Sequence, residues 1–215
     1  MVIHLIAPKD KNKWPNIWHK CYEYWVNSSY QIKLWNDHEI DSLIKDDDLE
    51  FFNIINKLPK ICKLDYFRPL VLEKYGGAYF DLDIEIIFDF LSIIDHNKIY
   101  IMGHPPFPSK KIKVQNSLFI SPKHHSLFFS HLKNYFKYTT KKYSHIISEP
   151  YSHVIPGLNV GKIAGSISLS KFVKVYKKNL PFLEILDYKY FNSNNNSINF
   201  CIHHSTQSWN VDPFN

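Results

Sequence analysis

The sequence is poor in cysteine, in glycine and in long apolar runs. Its three cysteines, Cys21, Cys62 and Cys201, lie far apart and form no C-x-x-C pair. That number and spacing indicate neither a disulfide framework nor a zinc site, so reduced thiols are expected. No stretch approaches the roughly 18 apolar residues of a membrane span. The 6 glycines are so few that each is expected to serve a special backbone conformation.

A targeting signal is also missing from the start of the sequence. Residues 1–9 have no basic region and only a short apolar run, so no secretory signal peptide is predicted. Together with the lack of a membrane span, this predicts a cytoplasmic location in a reducing compartment.

The overall composition is that of a folded domain. Hydrophobic residues make up 45% of the 215 residues and charged residues 21%, which predicts one domain over residues 1–215 with a real core. The formal net charge is +6, with scattered lysines and no arginine-rich arm. Such a charge is compatible with attraction to polyanions, including phosphorylated small molecules, and equally with plain solubility.

Strand-like and helix-like patterns alternate along the chain. The helical patterns lie at 14–26, 37–44, 58–75 and 124–138. The strand patterns lie at 2–7, 30–35, 78–82, 99–103 and 114–121, with later candidates at 160–164, 172–176 and 198–202. The alternation predicts an α/β fold, in which ligands bind beyond the carboxyl ends of the strands.

An acidic run, residues 46–48, lies between two of these patterns. Adjacent side chains diverge, so the run predicts a solvated helix start rather than a metal site.

Residues 64–83 carry the strongest candidate site. Asp65 and Arg68 are three apart in a predicted helix and therefore share a face. A glycine pair at 76–77 ends that helix, and an aromatic strand then delivers Asp81 and Asp83 at its carboxyl end. In a regular strand the two carboxylates point to the same side, where they repel each other unless a cation lies between them. Oxygen ligands suit Mg²⁺ or Mn²⁺.

This segment resembles the glycosyltransferases whose sugar-binding region contains a "DXD" motif. That family includes yeast initiating mannosyltransferases, capsular polysaccharide transferases and clostridial glucosylating toxins. Its pattern is roughly Ser-Asp-x-x-Arg-x-x-x-Leu-x-x-x-Gly-Gly-x-Tyr-x-Asp-x-Asp, and only the serine is replaced here, by Leu64. The matching positions are Asp65, Arg68, Leu72, Gly76, Gly77, Tyr79, Asp81 and Asp83.

The resemblance implies a GT-A fold with a Rossmann-like nucleotide-binding half and a mixed central sheet. It implies transfer from a nucleotide-sugar donor to a hydroxyl of a glycan, lipid or protein, with retention of configuration and without a nucleic-acid partner. Asp81 and Asp83 would hold Mn²⁺ or Mg²⁺ and, with Arg68, form the catalytic set. The implied substrate-binding residues are Asp65, Arg68, Tyr79, Asn116, Ser208 and Trp209.

The tail, residues 203–209, is similar to the family's closing His-His-x-x-x-Ser-Trp. By this analogy His204 is the expected metal ligand, with His203 in reserve, because imidazole can join carboxylates on Mn²⁺. Ser208 would then bond the β-phosphate and Trp209 would close over the donor. A surface histidine pair and a core tryptophan are the alternatives.

Two other functions stay open from the residues alone. Paired carboxylates and a basic surface also suit a metal-dependent phosphohydrolase or nuclease, although a second carboxylate pair for a second metal is not evident. A catalytically inactive protein that binds sugar nucleotides is the other alternative.

Overall fold

The structure is a computed structural model that describes residues 1–104, 113–122, 124–144, 162–191 and 199–206. The strands in this part of the chain are β1 (Val2–Ile6), β2 (Gln31–Trp35), β3 (Gly77–Phe80), β4 (Ile84–Ile86), β5 (Ile99–Gly103), β6 (Val114–Ser121), β7 (Leu183–Leu186) and β8 (Cys201–His203). The helices are α1 (Asn16–Asn27), α2 (Asp37–Asp47), α3 (Leu49–Ile55), α4 (Lys60–Tyr75), α5 (Ser126–Tyr143) and α6 (Ser166–Tyr176).

Six strands form a central mixed sheet in the order β2-β1-β3-β6-β5-β7. Strands β1, β2 and β3 are parallel, β6 runs antiparallel to both β3 and β5, and β7 is parallel to β5. Strands β4 and β8 form a separate antiparallel pair. The predicted α/β class with a mixed central sheet is therefore confirmed.

Both faces of the central sheet are covered. Helices α2 to α6 supply one hydrophobic core, and α1 with the β4–β8 pair supplies the other. Adjacent side chains of β3 point to opposite faces of the sheet, so Tyr79 packs in the first core and Phe80 in the second. Within the described residues, no helix is long and apolar enough to cross a bilayer.

The acidic run at 46–48 is a structural junction between α2 and α3. Asp48 caps α3 by accepting the Phe51 N–H at 2.9 Å. Asp47 lies among cations, 2.6 Å from the Lys133 ammonium and 3.1 Å from that of Lys137. Burial alone would raise the pKa of Asp47, but these bonds outweigh it and lower the pKa. The predicted solvated start is thus wrong for Asp47, which ties α2 to α5.

Several predicted element types and bounds differ from the structure. Residues 172–176, predicted as a strand, end α6, because Leu169, Phe172 and Val173 are buried at helical spacing. Residues 162–164 are likewise in helix and turn. The late strand predicted at 198–202 corresponds to β8, which begins at Cys201 and ends at His203, and residues 192–198 lie outside the described residues. The acidic run at 46–48 predicts the start of α3, which Asp48 caps, but not its extent, and strand β7 is not predicted from the sequence.

Candidate active site

The candidate site begins where β3 ends. The backbone N–H of Asp81 donates to the Ser117 carbonyl at 2.8 Å, and the Ile84 N–H donates to the Asp81 carbonyl at 3.1 Å. The chain therefore turns after Phe80 instead of continuing as the predicted strand to residue 82. This turn still brings the two carboxylates together. One ligand atom each of Asp81, Asp83 and His203 lie within 4.8 Å of one another.

Strand β8 carries the histidine into this group. It pairs antiparallel with β4 and sets His203 opposite Ile84. The Nε2 atom of His203 lies 3.4 Å from Oδ1 of Asp83. The pairing is extended by the backbone N–H of His204, which donates to the Asp83 carbonyl at 3.1 Å.

The expected ligand, His204, lies elsewhere. Its Nε2 atom is 2.9 Å from Oε2 of Glu85, whose other oxygen is 2.6 Å from the Lys20 ammonium. Adjacent side chains on a strand point to opposite sides, so only one of the two histidines can reach Asp83. The geometry therefore replaces His204 with His203 as the candidate ligand.

Thr206 is a site residue that sequence analysis misses. Its backbone N–H and its hydroxyl both donate to Oδ2 of Asp83, at 2.9 and 2.8 Å. Burial alone would raise the pKa of Asp83, but His203 and Thr206 together lower it to about 2. Thr206 occupies a variable position of the tail pattern, so only its distance to Asp83 reveals its role.

Arg68 lies beneath the carboxylates and is nearly inaccessible to solvent. Its guanidinium is 2.8 Å from Oδ1 of Asp65 and 3.0 Å from Oδ1 of Asp81, and it donates to the Asn116 carbonyl at 3.1 Å. Both Asp65 and Arg68 are buried. In this structure Asp65 and Arg68 bond to each other, and Arg68 also bonds to Asp81. The implied contact of these two side chains with sugar hydroxyls stays a prediction.

Tyr79 and Asn116 complete the support. The Tyr79 hydroxyl donates to Oδ1 of Asp81 at 2.6 Å, and the Asn116 amide donates to Oδ1 of Asp65 at 2.8 Å. Tyr79 is only 1% exposed. The structure thus brings these two predicted substrate-binding residues to the site, but as partners of the acidic side chains.

The cluster carries an excess of negative charge. Burial raises the pKa of Asp65 to about 6 despite the neighbouring Arg68. Burial also raises the pKa of Asp81, against the effect of Arg68 and with that of Asp83. The cluster contains three carboxylates, Asp65, Asp81 and Asp83, and its one guanidinium bonds only the first two. This imbalance favours an added cation.

The free ligand atoms fit a divalent cation. Within the described part of the chain, the partners of Asp81 all lie at Oδ1, which leaves Oδ2 for a metal. Thr206 occupies Oδ2 of Asp83 and leaves Oδ1 facing His203. The Nδ1 atom of His203 is buried without a partner among the described residues. Two carboxylate oxygens and an imidazole are a donor set that Mn²⁺ accepts, and Mg²⁺ is compatible with the carboxylates.

Two predicted substrate-binding residues, Ser208 and Trp209, lie outside the described residues. The described chain ends at Thr206, directly beside Asp83.

Comparison with known proteins agrees with this geometry. Residues 13–100 match the family described as "Glycosyltransferase sugar-binding region containing DXD motif". This part of the chain is similar to a glycosyltransferase sugar-binding region. It includes Asp65, Arg68, Tyr79, Asp81 and Asp83, whereas Asn116, His203 and Thr206 lie beyond the match.

A curated relative and two solved structures are also similar to this chain. Inositol phosphoceramide mannosyltransferase 1 of Schizosaccharomyces pombe is 34% identical over 88 residues, which are 39% of this chain and 27% of the relative. The chain thus spans about a quarter of that relative's length.

The solved structures are more distant. The ligand-free glycosyltransferase domain of the YGT toxin is 10% identical with a TM-score of 0.45, over 77% of this chain and 54% of that one. The PaToxG glycosyltransferase is 15% identical with a TM-score of 0.46, over 82% of this chain and 69% of that one.

Proposed function

We propose that this chain transfers a glycosyl group from a nucleoside-diphosphate sugar to a hydroxyl acceptor, with Mn²⁺ or Mg²⁺ held by Asp81, Asp83 and His203. The observation that carries the proposal is the convergence of these three side chains at the end of β3, where Asp81 and Asp83 lie within the segment that matches the sugar-binding family and His203 joins them from β8. Ligands of open α/β sheets bind at the carboxyl ends of parallel strands, which is where this group lies.

The surrounding residues prepare the carboxylates for this role. Tyr79 and Arg68 both bond Oδ1 of Asp81, which fixes the direction of its other oxygen. The backbone N–H and the hydroxyl of Thr206 both bond Oδ2 of Asp83, which fixes the direction of Oδ1 of that carboxylate. Ligands held in this way need little reorganisation when substrate arrives, and such preorganisation is a large part of electrostatic catalysis. When bound, the cation would neutralise the diphosphate as it leaves.

The proposed reaction exchanges one glycosidic bond for another. The bond between the anomeric carbon and the diphosphate oxygen breaks, and a bond from that carbon to the acceptor oxygen forms. In a retaining front-face transfer the departing phosphate oxygen takes the acceptor's proton, so this route requires no general base from the protein. Ser208 and Trp209 are proposed to contact the donor, as the family resemblance implies.

A donor screen tests the proposal. Each nucleotide sugar is incubated with the protein and Mn²⁺, and release of free nucleoside diphosphate is measured with and without glycan, lipid and protein acceptors. Because the curated relative is named a mannosyltransferase, mannose donors come first. Asp83→Asn should abolish turnover with the fold intact, and Asp95→Asn, at a site distant in sequence, serves as the control.

Three outcomes would contradict the proposal. The first is full activity in the presence of EDTA. The second is cleavage of nucleic acid or release of inorganic phosphate without sugar transfer, which would favour the phosphohydrolase alternative. The third is nucleotide-sugar binding without turnover for every donor and acceptor, which would favour an inactive binding protein.

A further inference from the structure

The positive charge of the chain is concentrated in one segment. Between Asp95 and Glu184 the sequence contains fourteen lysines and a single carboxylate residue, Glu149. The formal net charge of the whole chain is only +6, so the remainder is net negative. Helices α5 and α6 both lie within this basic segment.

The outer side of these two helices combines lysines with exposed apolar and aromatic side chains. Val175 is 65% exposed, Tyr138 is 58% exposed and Tyr176 is 42% exposed, so these three side chains are accessible to a partner. Exposed lysines lie among them. We call this the α5–α6 surface and define it by Tyr138 and Lys142 of α5, by Lys174, Val175 and Tyr176 of α6, and by Lys178 in the turn that follows α6.

Packing between the helices makes this a continuous surface. The rings of Tyr135 on α5 and Phe172 on α6 are 5.5 Å apart. Tyr138 lies 6.5 Å from Tyr135, and Tyr176 lies 4.6 Å from Phe172. The two exposed tyrosines are therefore the ends of one aromatic row that crosses from α5 to α6.

The lysines of this surface have no acidic partners. Within the described ranges, Lys142, Lys174 and Lys178 make no ion pair, and the ammonium of Lys142 lies 5.7 Å from the Tyr138 ring. The buried side of α5 is different, since Lys133 lies 2.6 Å from Asp47. The positive charge of the α5–α6 surface is therefore available to an external anion.

We propose that the α5–α6 surface docks the protein onto an anionic lipid bilayer. Lysines are drawn to the negative surface potential of such a bilayer, while tyrosines and an aliphatic side chain suit its interfacial region. The chemistry favours lipid over nucleic acid, because Arg68, the only arginine of the chain, is buried. Guanidinium groups, rather than ammonium groups, provide bidentate recognition of phosphates and bases.

The docking surface is separate from the candidate active site. None of its six residues contributes to the group formed by Asp81, Asp83 and His203. Variants of the surface should therefore change membrane binding while leaving turnover of a soluble donor and acceptor unchanged. Membrane binding is measured without any donor, so a failed donor screen would leave this inference standing.

Co-sedimentation with vesicles tests the inference. The protein is mixed with vesicles of phosphatidylcholine alone, or of phosphatidylcholine with phosphatidylserine, and the bound fraction is measured. We expect binding only with phosphatidylserine, weakened by added salt. The double variant Lys174→Glu/Lys178→Glu should lower the partition coefficient roughly tenfold or more. Lys45→Glu/Lys57→Glu, which changes the net charge equally at exposed lysines of other elements, should lower it far less.

The apolar component has its own variant, Tyr138→Ser/Val175→Ser, which keeps the charge and should also weaken binding to the vesicles. Absence of binding to phosphatidylserine vesicles at low salt would overturn the inference, as would equal losses in the two lysine variants. The third contrary result is equally tight binding of single-stranded RNA that the Tyr138→Ser/Val175→Ser variant does not weaken. That result would identify a general polyanion site rather than a membrane surface.

Discussion

At the scale of single residues, Arg68 decides how the acidic cluster is held. It lies between Asp65 and Asp81, 2.8 and 3.0 Å from their oxygens, and is 5% exposed. Removing one member of a buried ion pair leaves its partner charged and unpaired in a poorly solvated place. Here two carboxylates would lose the same cation, so stability and activity should fall together.

The first prediction is that Arg68→Ala lowers the free energy of unfolding by about 3–5 kcal/mol and abolishes turnover. Arg68→Lys keeps the charge but cannot bond both carboxylates in the same forked geometry, so an intermediate loss is expected. Urea unfolding measures the stability of each variant. Lys74→Ala, an exposed position on the same helix, is the control and should change stability by less than about 0.5 kcal/mol. Unchanged stability with lost turnover in Arg68→Ala would instead indicate an arginine that contacts the donor.

At the scale of elements, the junction of α4 and β3 sets the position of the carboxylates. Gly76, with a φ of +65°, ends α4, and its N–H donates to the Leu72 carbonyl. Gly77 has a φ of +86°, and a Cβ added to it would lie 2.3 Å from the Val2 carbonyl oxygen in β1. The close approach of β1 and β3 therefore requires glycine at position 77.

The second prediction compares two alanine substitutions at this junction. Both impose a positive φ on a residue with a Cβ, which costs about 1–3 kcal/mol. At Gly77 the new Cβ would also collide with backbone, whereas at Gly76 its nearest contact is the His124 side chain at 3.2 Å. Gly77→Ala should therefore destabilise the protein more than Gly76→Ala. Thermal unfolding of the two variants measures the difference, and equal losses would contradict the close packing of β1 against β3.

The β4–β8 pair shows why the candidate site is only partly predictable. Asp81 and Asp83 are close in sequence, so one local pattern reveals both. His203 comes from a strand that pairs with β4 across a long stretch of chain, and strand alternation says that one histidine faces Asp83 but not which one. Family analogy favours His204, but its Nε2 atom lies 2.9 Å from Oε2 of Glu85, whereas Nε2 of His203 lies 3.4 Å from Oδ1 of Asp83.

At the scale of the whole molecule, the local patterns predict the class of fold better than its arrangement. The long helix before Gly76 and strand β6 have clear periodicity and clear ends, and both are predicted within about two residues. Residues 172–176 are not, because a short run containing Phe172 and Val173 fits a strand until packing against α5 imposes the helical period. The strand order and the separate β4–β8 pair depend on contacts between segments that are distant in sequence, so local patterns do not predict them.

One core histidine makes the stability of the whole fold depend on pH. The Trp35 indole N–H donates to Nδ1 of His4, so the other ring nitrogen, 3.0 Å from the Gly76 carbonyl, carries the proton. This neutral tautomer uses both nitrogens. Burial lowers the pKa of His4 from 6.5 to about 4.

The third prediction follows from that pKa. Between pH 6.5 and about pH 4, His4 is protonated in the unfolded chain but stays neutral in the folded one. The stability that neutral His4 contributes is therefore present above pH 6.5 and is lost as the pH falls through this window. The loss is about 3 kcal/mol. Urea unfolding across the window should show a larger loss in wild type than in His4→Gln. The raised pKa of Asp65 acts in the opposite sense but is common to both proteins. If the free energy of unfolding changed with pH in the same way in wild type and His4→Gln, the pKa of His4 would be the same in the folded and unfolded states, which would contradict the prediction.

The central claim, a cation site formed by Asp81, Asp83 and His203, is tested most directly by Mn²⁺ binding measured calorimetrically with a nucleoside diphosphate present. Wild type should bind Mn²⁺, and Asp83→Asn and His203→Ala should each weaken binding by at least the roughly ten- to hundredfold that loss of a residue orienting a metal ligand costs. His204→Ala, whose side chain lies against Glu85, should bind nearly as wild type. Wild type without measurable binding would contradict the account, and so would a greater loss in His204→Ala than in His203→Ala.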